Sequence, residues 1–232
     1  MLTPTNDLLL SVDNLSCTTN PQSLVWQAMH QCYCSEPTPL ALDLGEKTLG
    51  EAVVRHLLSG NRGHYSPLEQ PSLSVRVSFA PHSLVQQLTR HRHLSFSVQS
   101  FRYTSRQFVE YAKEQPNVNR KALDRLVYFG KCSSYAHYAR AHEQVLAYAL
   151  DVENGSFPEN ARGQLPFDLR QHLVVGGNLR AWWHLLDLRL KPDAQPEFQQ
   201  LALQVQTLLQ GWVPELQEWY DTRRATRAIL SP

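Results

Sequence analysis

The segment SLSVRVSFAPHSLVQQLTRHRHLSFSVQSFRY (residues 72–103) determines the fold that we expect. At its start, Leu73, Val75, Val77 and Phe79 alternate with polar residues, which predicts a strand with one buried face. A proline then opens PHSLVQQLTRHR, which predicts a helix, and LSFSVQSFRY alternates again, less regularly. A strand, a helix and a second strand in succession indicate helices packed on a sheet.

The chain before this segment predicts helices. Asn20 is a plausible cap and Pro21 suits the first helical position, so we expect a helix over residues 21–34. The stretch EKTLGEAVVRHLLSGN predicts another helix, which Gly60 ends. The stretch GHYSPLEQP predicts a loop.

The chain after this segment predicts mostly helices as well, over 117–152, 196–210 and 214–228. Between them, the short β-like run QHLVV is followed by GGN and by the helix LRAWWHLLDLRL. We therefore expect a single α/β (α+β mixed) domain over residues 1–232, with a central, mostly antiparallel sheet packed by several helices.

The composition excludes several classes of protein. The 232 residues are 42% hydrophobic with a net charge of +1, so any electrostatic specialisation is local. The four cysteines lack zinc-ligand spacing, and we expect no metal site. No window approaches the roughly 18 apolar residues of a membrane span, so we expect a soluble, cytoplasmic protein without a membrane partner.

The segment between Glu69 and Glu110 contains five arginines and three histidines but no acidic residue. One interpretation is a solvated basic face. However, Arg90, His91 and Arg92 run from a helix end into an apolar-alternating segment, so at least one of them must face inward or into a cleft. A buried guanidinium needs an anionic partner, and arginine matches phosphate oxygens well. These residues therefore favour a small phosphorylated ligand.

Two common phosphate-binding motifs, GxGxxG and GxxxxGK[ST], are absent from the sequence. The glycine doublet precedes Asn178, whose role is either to cap the following helix or to contact a ligand. Nucleic acid is a weaker expectation, because the protein is near neutral and lacks a recognised binding signature. Because the two glycine motifs are absent, side chains, and above all arginines, would have to hold the phosphates of a small ligand.

Five motifs in order resemble one enzyme family. Arg90-His91-Arg92, seven residues and then Ser100-Phe101-Arg102-Tyr103 resembles the signature of the flavin-dependent thymidylate synthases. Gln87 stands three residues before that motif, as in the family. The stretches GHYSPLEQ (63–70), ENARGQLP (159–166) and NLRAWWHLLDLRLKPDAQPE (178–197) also resemble family elements.

This resemblance implies a homotetramer that binds FAD and dUMP where its subunits meet. The implied reaction converts dUMP to dTMP, with methylenetetrahydrofolate as one-carbon donor and NADPH reducing the FAD. Two alternatives stay open: a non-catalytic basic nucleotide- or RNA-binding module, and a family member that binds flavin but has lost methyl transfer.

The resemblance also implies roles for individual residues. The positions that match flavin contacts are Ser66, Arg90, His91, Arg92, Asn178, Leu179, Arg180 and His184. The positions that match nucleotide contacts are Gln87, Arg90, Ser100, Arg102 and Arg162, with Arg189 matching the arginine that polarises the uracil ring. We expect Ser100 to position the ligand rather than to act as a nucleophile.

One position departs from the family pattern. Two residues before the motif serine, where Glu or Gln is common in the family, this chain has Val98, and Gln99 follows it. Either a local shift lets Gln99 bind the substrate, or a backbone contact replaces the side chain.

The residue types fit chemistry without a protein nucleophile. No cysteine lies in the basic segments, so activation of the uracil ring would rest on electrostatic stabilisation by arginines. Arg180 and His184 are four residues apart and share one helix face, whereas Arg189 lies on another. The alternative for Arg189 is an ion pair with Asp187 or Asp193, or a place on the surface.

Overall fold

The computed structural model describes residues 10–38, 44–60, 64–130 and 134–225. The strands in these ranges are β1 (Ser11–Cys17), β2 (Ser72–Pro81), β3 (Ser95–Val98) and β4 (Arg170–Asn178). They form a sheet in the order β1–β2–β4–β3.

The sheet is antiparallel. The residue after the end of β1, Thr18, donates its N–H to the carbonyl of Ser72 at the start of β2 (2.9 Å). Just after β3, Gln99 donates its N–H to the carbonyl of His172, near the start of β4 (2.9 Å). In both pairs the end of one strand meets the start of its neighbour, and the same holds for β2 and β4. The predicted mixed α/β class with an antiparallel sheet is confirmed.

The alternation predicted for β2 holds over most of the strand and fails at its end. Leu73, Val75 and Val77 are buried as predicted. Phe79 instead has a φ of 58°, a left-handed conformation that interrupts the alternation, and its N–H donates to His172 Nδ1 (3.3 Å). The two residues that follow are therefore buried side by side.

Strand β4 is longer than the predicted run QHLVV because it continues through the glycine doublet. A Cβ added at Gly176 would lie 3.1 Å from the Ser74 hydroxyl, and one added at Gly177 would collide with the Leu94 side chain. The doublet thus allows a close approach of neighbouring segments, which spacing alone does not reveal.

The helices occupy most of the remaining chain. The α-helices are α1 (Pro21–Gln31), α2 (Glu46–Val53), α3 (His82–Leu88), α4 (Arg106–Glu114), α5 (Arg120–Leu123), α6 (Tyr135–Glu153), α7 (Pro158–Ala161), α8 (Leu179–Arg189), α9 (Pro196–Trp212) and α10 (Pro214–Trp219). π-Helical turns extend α2 (Val54–Leu58) and α10 (Tyr220–Arg224), and 3₁₀ turns cover Ser66–Glu69 and Arg162–Gln164.

Three details of the predicted helices differ. Asn20 lies at the N-cap of α1, but its side chain makes no capping bond there. Helix α3 ends at Leu88, so the Arg-His-Arg motif lies in the turn beyond it. The predicted helix over 117–152 is interrupted because Val127 forms an antiparallel bridge with Leu169. The beginning of the GHYSPLEQ stretch, residue 63, lies outside the described residues.

The chain divides into two compact units. The first unit comprises residues 1–11, 77–90 and 97–173, and the second comprises 12–76, 91–96 and 174–232. In the first unit α4 packs on α6 around Phe108 and Tyr148. In the second, α8 packs on α9 around residues such as Trp182 and Phe198. One domain over residues 1–232 stays a prediction.

None of the helices in the described part of the chain combines the length and the apolar character needed to cross a membrane.

Candidate functional site

The Arg-His-Arg motif places its histidine inside the second unit. His91 is 5% exposed, and its carbonyl accepts the N–H of Leu94 (3.0 Å), which closes the turn. Arg90 and Arg92, on either side, are exposed. The prediction that one of the three faces inward is confirmed, but the inward residue is the histidine. Neither Arg90 nor Arg92 is therefore a buried guanidinium that needs an anionic partner.

His91 contacts the arginine at the end of α8. Arg189 Nε donates to His91 Nε2 (3.1 Å), and its guanidinium carbon lies 4.2 Å from the ring centre of Phe198. The His91 ring also meets the His184 ring edge to face, with centroids 5.9 Å apart. Two motifs separated by almost 100 residues thus meet within one unit.

The protonation of His91 follows from these contacts. Burial, together with the charges of Arg189 and His184, lowers the pKa of His91 to about 4. The imidazole is therefore neutral at pH 7, and because Nε2 accepts a hydrogen bond, the ring proton lies on Nδ1. That nitrogen is buried and has no hydrogen-bond partner among the described residues. A buried donor without a partner is costly, so this N–H is suited to an acceptor atom of a ligand.

The first turns of α8 carry four more of the predicted flavin positions. The side chain of Asn178 accepts the N–H of Ala181 (2.9 Å), which confirms that Asn178 caps this helix. Leu179 is buried. Arg180 forms an ion pair with Glu69 (2.5 Å). Burial, more than the nearby charge of His93, lowers the pKa of His184.

The 3₁₀ turn Ser66–Glu69 provides the remaining position of this group. Ser66 is exposed, and Glu69 three residues later is the partner of Arg180. The histidine of the GHYSPLEQ stretch, His64, contacts the hydroxyl of Tyr33 through Nδ1 (3.0 Å). The second unit therefore contains every predicted flavin position except Arg90, as well as Arg189.

The first unit contains a cavity of about 600 Å³ that several predicted nucleotide positions line. Gln99, Ser100 and Arg162 are among its lining residues. Arg102 forms an ion pair with Glu159, another lining residue, at 3.4 Å. Gln87 and Arg90 belong to the same unit but are not among the lining residues.

Sequence reasoning missed several residues of this cavity. His82, Glu159, Phe167 and Gln171 also line it. His82 Nδ1 lies 2.7 Å from the Gln171 side-chain oxygen, which orients the imidazole. The resemblance of ENARGQLP implied a role for Arg162 alone, and nothing in the local pattern pointed to these four residues.

Gln99 is held by hydrogen bonds inside the first unit. Its side-chain oxygen accepts the N–H of His172 (3.0 Å), and its amide nitrogen donates to the Thr104 hydroxyl (3.2 Å). Val98 is 38% exposed at the end of β3. The Gln99 side chain would have to exchange these partners to bind a ligand directly.

These two groups differ in what they can do chemically. The second unit offers neutral, partly buried imidazoles beside arginines, which can hold a polar, anionic molecule in a fixed orientation. The first unit offers an open cavity lined by the guanidinium of Arg162 and the hydroxyl of Ser100, which suits a phosphorylated ligand.

A family model described as "Thymidylate synthase complementing protein" matches residues 14–215. A protein of Halobacterium salinarum named flavin-dependent thymidylate synthase is 29% identical over 92% of this chain and 96% of its own length. A Mycobacterium marinum protein of the same name is 30% identical over 79% of this chain and 73% of its own length.

Solved structures show the same fold. A flavin-dependent thymidylate synthase ThyX of Helicobacter pylori, crystallised with FAD and dUMP, is 26% identical with a TM-score of 0.73 over 90% of this chain and 98% of that one. A UMP/dUMP methylase PolB of Streptomyces cacaoi is 23% identical with a TM-score of 0.68 over 96% of this chain and 97% of that one. The second likeness concerns the fold alone.

Proposed function

This chain belongs to the family of flavin-dependent thymidylate synthases, and we propose that it methylates dUMP to dTMP. In this proposal methylenetetrahydrofolate donates the one-carbon unit, and FAD, re-reduced by NADPH, carries the hydride. The observation that carries the proposal is the contact between His91 and Arg189, because it joins the Arg-His-Arg motif to the end of α8. Family membership supports the same activity.

The residues of the second unit fit a flavin. The buried Nδ1–H of His91 has no partner among the described residues and can donate to an acceptor atom of the cofactor. We assign the flavin contacts to Ser66, Arg90, His91, Arg92, Asn178, Leu179, Arg180 and His184. When bound, FAD would supply the hydride chemistry that no side chain can perform.

The neutral state of His91 matters for this fit. Because its pKa is lowered to about 4, the imidazole stays an acceptor toward Arg189 and a donor from Nδ1 across the physiological range. A protonated ring would place a second positive charge 3.1 Å from Arg189 Nε, which is unfavourable. His91 therefore fixes the direction of the Arg189 guanidinium without charge repulsion.

We assign nucleotide binding to Gln87, Arg90, Gln99, Ser100, Arg102, Arg162 and Arg189. The cavity supports the assignments of Gln99, Ser100 and Arg162, which line it together. Among the described residues, no carboxylate pairs with Arg162, so its guanidinium is available to a phosphate. Arg102 is held by Glu159 at 3.4 Å, a partly exposed pair that a phosphate could displace.

Arg189 would activate the uracil ring without a nucleophile. Its guanidinium is oriented by His91 and by the face of Phe198, so it is fixed before the substrate binds. A charge-assisted hydrogen bond from this group to a uracil carbonyl, worth about 1.5–3 kcal/mol, would stabilise negative charge on the polarised ring.

The proposal includes a homotetramer with its sites where subunits meet. Arg90 and Arg92 are exposed guanidiniums on a turn whose histidine points inward. In such an assembly, the residues of the flavin and nucleotide groups need not come from the same subunit.

Purification and a spectrum test this function first. We expect the purified protein to carry the visible absorption of bound flavin and to oxidise NADPH at a rate that changes when dUMP is added. A colourless protein that retains no added FAD would instead favour a non-catalytic nucleotide- or RNA-binding module. Flavin binding without dTMP formation would favour a member that has lost methyl transfer.

A further inference from the structure

Helix α8 also contacts the C-terminal helices. Trp183 and Asp187 lie four residues apart on the contacting face. Trp183 Nε1 donates to the side-chain oxygen of Gln217 (2.9 Å), and the Trp183 ring stacks on Tyr220 with centroids 5.2 Å apart. Asp187 lies seven residues after Arg180 and three after His184, so this face borders the one that carries Arg180 and His184.

Asp187 is a buried carboxylate with both oxygens bonded. Its side chain is 1% exposed. Oδ1 accepts a hydrogen bond from the Tyr220 hydroxyl (2.9 Å), and Oδ2 accepts one from Arg224 (2.7 Å). A buried carboxylate is tolerated only with such partners. Both come from the π-helical turn Tyr220–Arg224, a type of turn that is frequent at functional sites.

Arg224 reaches from this turn toward the proposed flavin residues. Its guanidinium carbon lies 5.9 Å from the ring centre of Tyr65, the residue before Ser66. The pair also acts on His184: beyond the effect of burial, Asp187 raises the pKa of His184 and Arg224 lowers it. Arg224 Nε is buried and has no hydrogen-bond partner among the described residues. The Asp187–Arg224 pair therefore connects helix α8, which carries His184, with the segment that carries Ser66.

We propose that Asp187 and Arg224 are positioning residues of the flavin site, which fix α8 relative to the Tyr65–Ser66 segment. This inference rests on the proposed function. It makes the C-terminal turn part of the flavin-binding apparatus, although neither Asp187 nor Arg224 is among the positions that match flavin contacts. An alternative role, in which the pair only stabilises the fold, predicts a different response to mutation.

The test separates positioning from stability by removing the whole pair. Loss of one partner leaves a buried charge, whereas loss of both is often nearly neutral for stability. We would therefore compare wild type with the double variant Asp187→Asn/Arg224→Met, in which the introduced amide oxygen can still accept from the Tyr220 hydroxyl. The matched control is Asp13→Asn/Arg76→Met, which removes the exposed pair Asp13–Arg76 (3.0 Å) of the same unit.

The readouts are the FAD dissociation constant from fluorescence titration, the visible flavin spectrum, and the Tm of the FAD-free protein. We expect the double variant to keep a Tm near that of wild type, to bind FAD about tenfold more weakly or worse, and to show an altered flavin spectrum. The control variant should bind FAD as wild type does. A double variant that folds and binds FAD within about twofold of wild type would overturn the proposal.

If the double variant does not fold, Arg224→Lys replaces it. This variant keeps the charge beside Asp187 but loses the planar guanidinium. Weaker FAD binding at an unchanged Tm would support positioning, and unchanged binding would overturn it. A wild-type protein that does not bind FAD would end the proposed function and this inference together, whereas normal wild-type binding with an unaffected variant would end only the inference.

Discussion

The two units of this protein hold their predicted site residues in different ways. In the second unit, His91 is buried against Arg189, and Arg180 is paired with Glu69. In the first unit, Ser100 and Arg162 are exposed on the wall of an open cavity. The contacts of the second unit form before any ligand binds, whereas the side chains of Ser100 and Arg162 in the first unit are available to a ligand. Substituting His91 should therefore change the stability of the protein itself, whereas substituting Ser100 or Arg162 should change mainly ligand binding.

The largest effect should come from Arg189. We expect Arg189→Ala to lower the rate of dTMP formation by about 10²–10³, as for the loss of one preorganised donor in other enzymes. Flavin binding should be largely retained, because the FAD contacts are assigned to other residues. Turnover and FAD affinity of the purified variant measure this, and near-wild-type turnover would contradict the role of Arg189.

The next largest effect is a loss of stability at low pH, which tests whether His91 is held neutral in the second unit before any ligand binds. The pKa of His91 is about 4 in the folded protein and about 6.5 in an unfolded chain, so the unfolded state binds the proton more readily. Above pH 6.5 the titration of His91 should therefore leave the free energy of unfolding unchanged. As the pH falls toward 4, it should lower that free energy progressively, by about 3 kcal/mol at pH 4.

The variant His91→Gln isolates this contribution, because glutamine does not titrate. Urea unfolding of FAD-free wild type and variant between pH 7 and pH 4 should give free energies whose difference changes with pH, wild type losing more. Parallel curves would show that His91 is not held neutral.

Two arginine variants, one in the proposed flavin group and one in the proposed nucleotide group, should each have a smaller effect. Arg92→Ala should weaken FAD retention, and Arg162→Ala should raise the KM for dUMP, each by about tenfold to a hundredfold for one charge-assisted bond. Each variant serves as the control of the other in FAD titrations and dUMP kinetics. If both variants weakened the same ligand alone, the division of roles between the units would be wrong.

The smallest effect should come from the ion pair beside the cavity. Glu159 and Arg102 have side chains that are 39% and 52% exposed, so Glu159→Gln should change the free energy of unfolding by less than about 1 kcal/mol. Arg224→Met, which leaves the buried Asp187 unpaired, is the contrasting control, with an expected loss of about 3–5 kcal/mol. Chemical denaturation of both variants compares them, and equal losses would contradict the distinction between exposed and buried pairs.

Local patterns predicted the regular parts of the fold. Strand β2 and helix α8 follow from alternation and from the Asn178 cap, which act over a few residues. Patterns failed where a distant segment decides. The left-handed Phe79 and the extension of β4 through Gly177 depend on neighbours, His172 and Leu94, that the local sequence does not reveal.

The same distinction applies to the candidate site. The Arg-His-Arg motif indicated a special turn, but which residue points inward depends on the pocket formed by Arg189 and Phe198. The Asp187–Arg224 pair was missed because one partner lies in the C-terminal helices, where no motif drew attention to it. Spacing along one helix indicates which residues share a face, but the partner of each face depends on tertiary packing.

The central claim is that this protein makes thymidylate with a flavin and without a nucleophilic side chain. Its most direct test is the formation of dTMP from dUMP and methylenetetrahydrofolate by the FAD-free protein, with NADPH, in the presence and absence of added FAD. We predict dTMP only when FAD is present, with the activity unaffected when each cysteine is replaced by serine. Activity that is independent of FAD, or FAD-loaded protein that yields no dTMP, would contradict the claim.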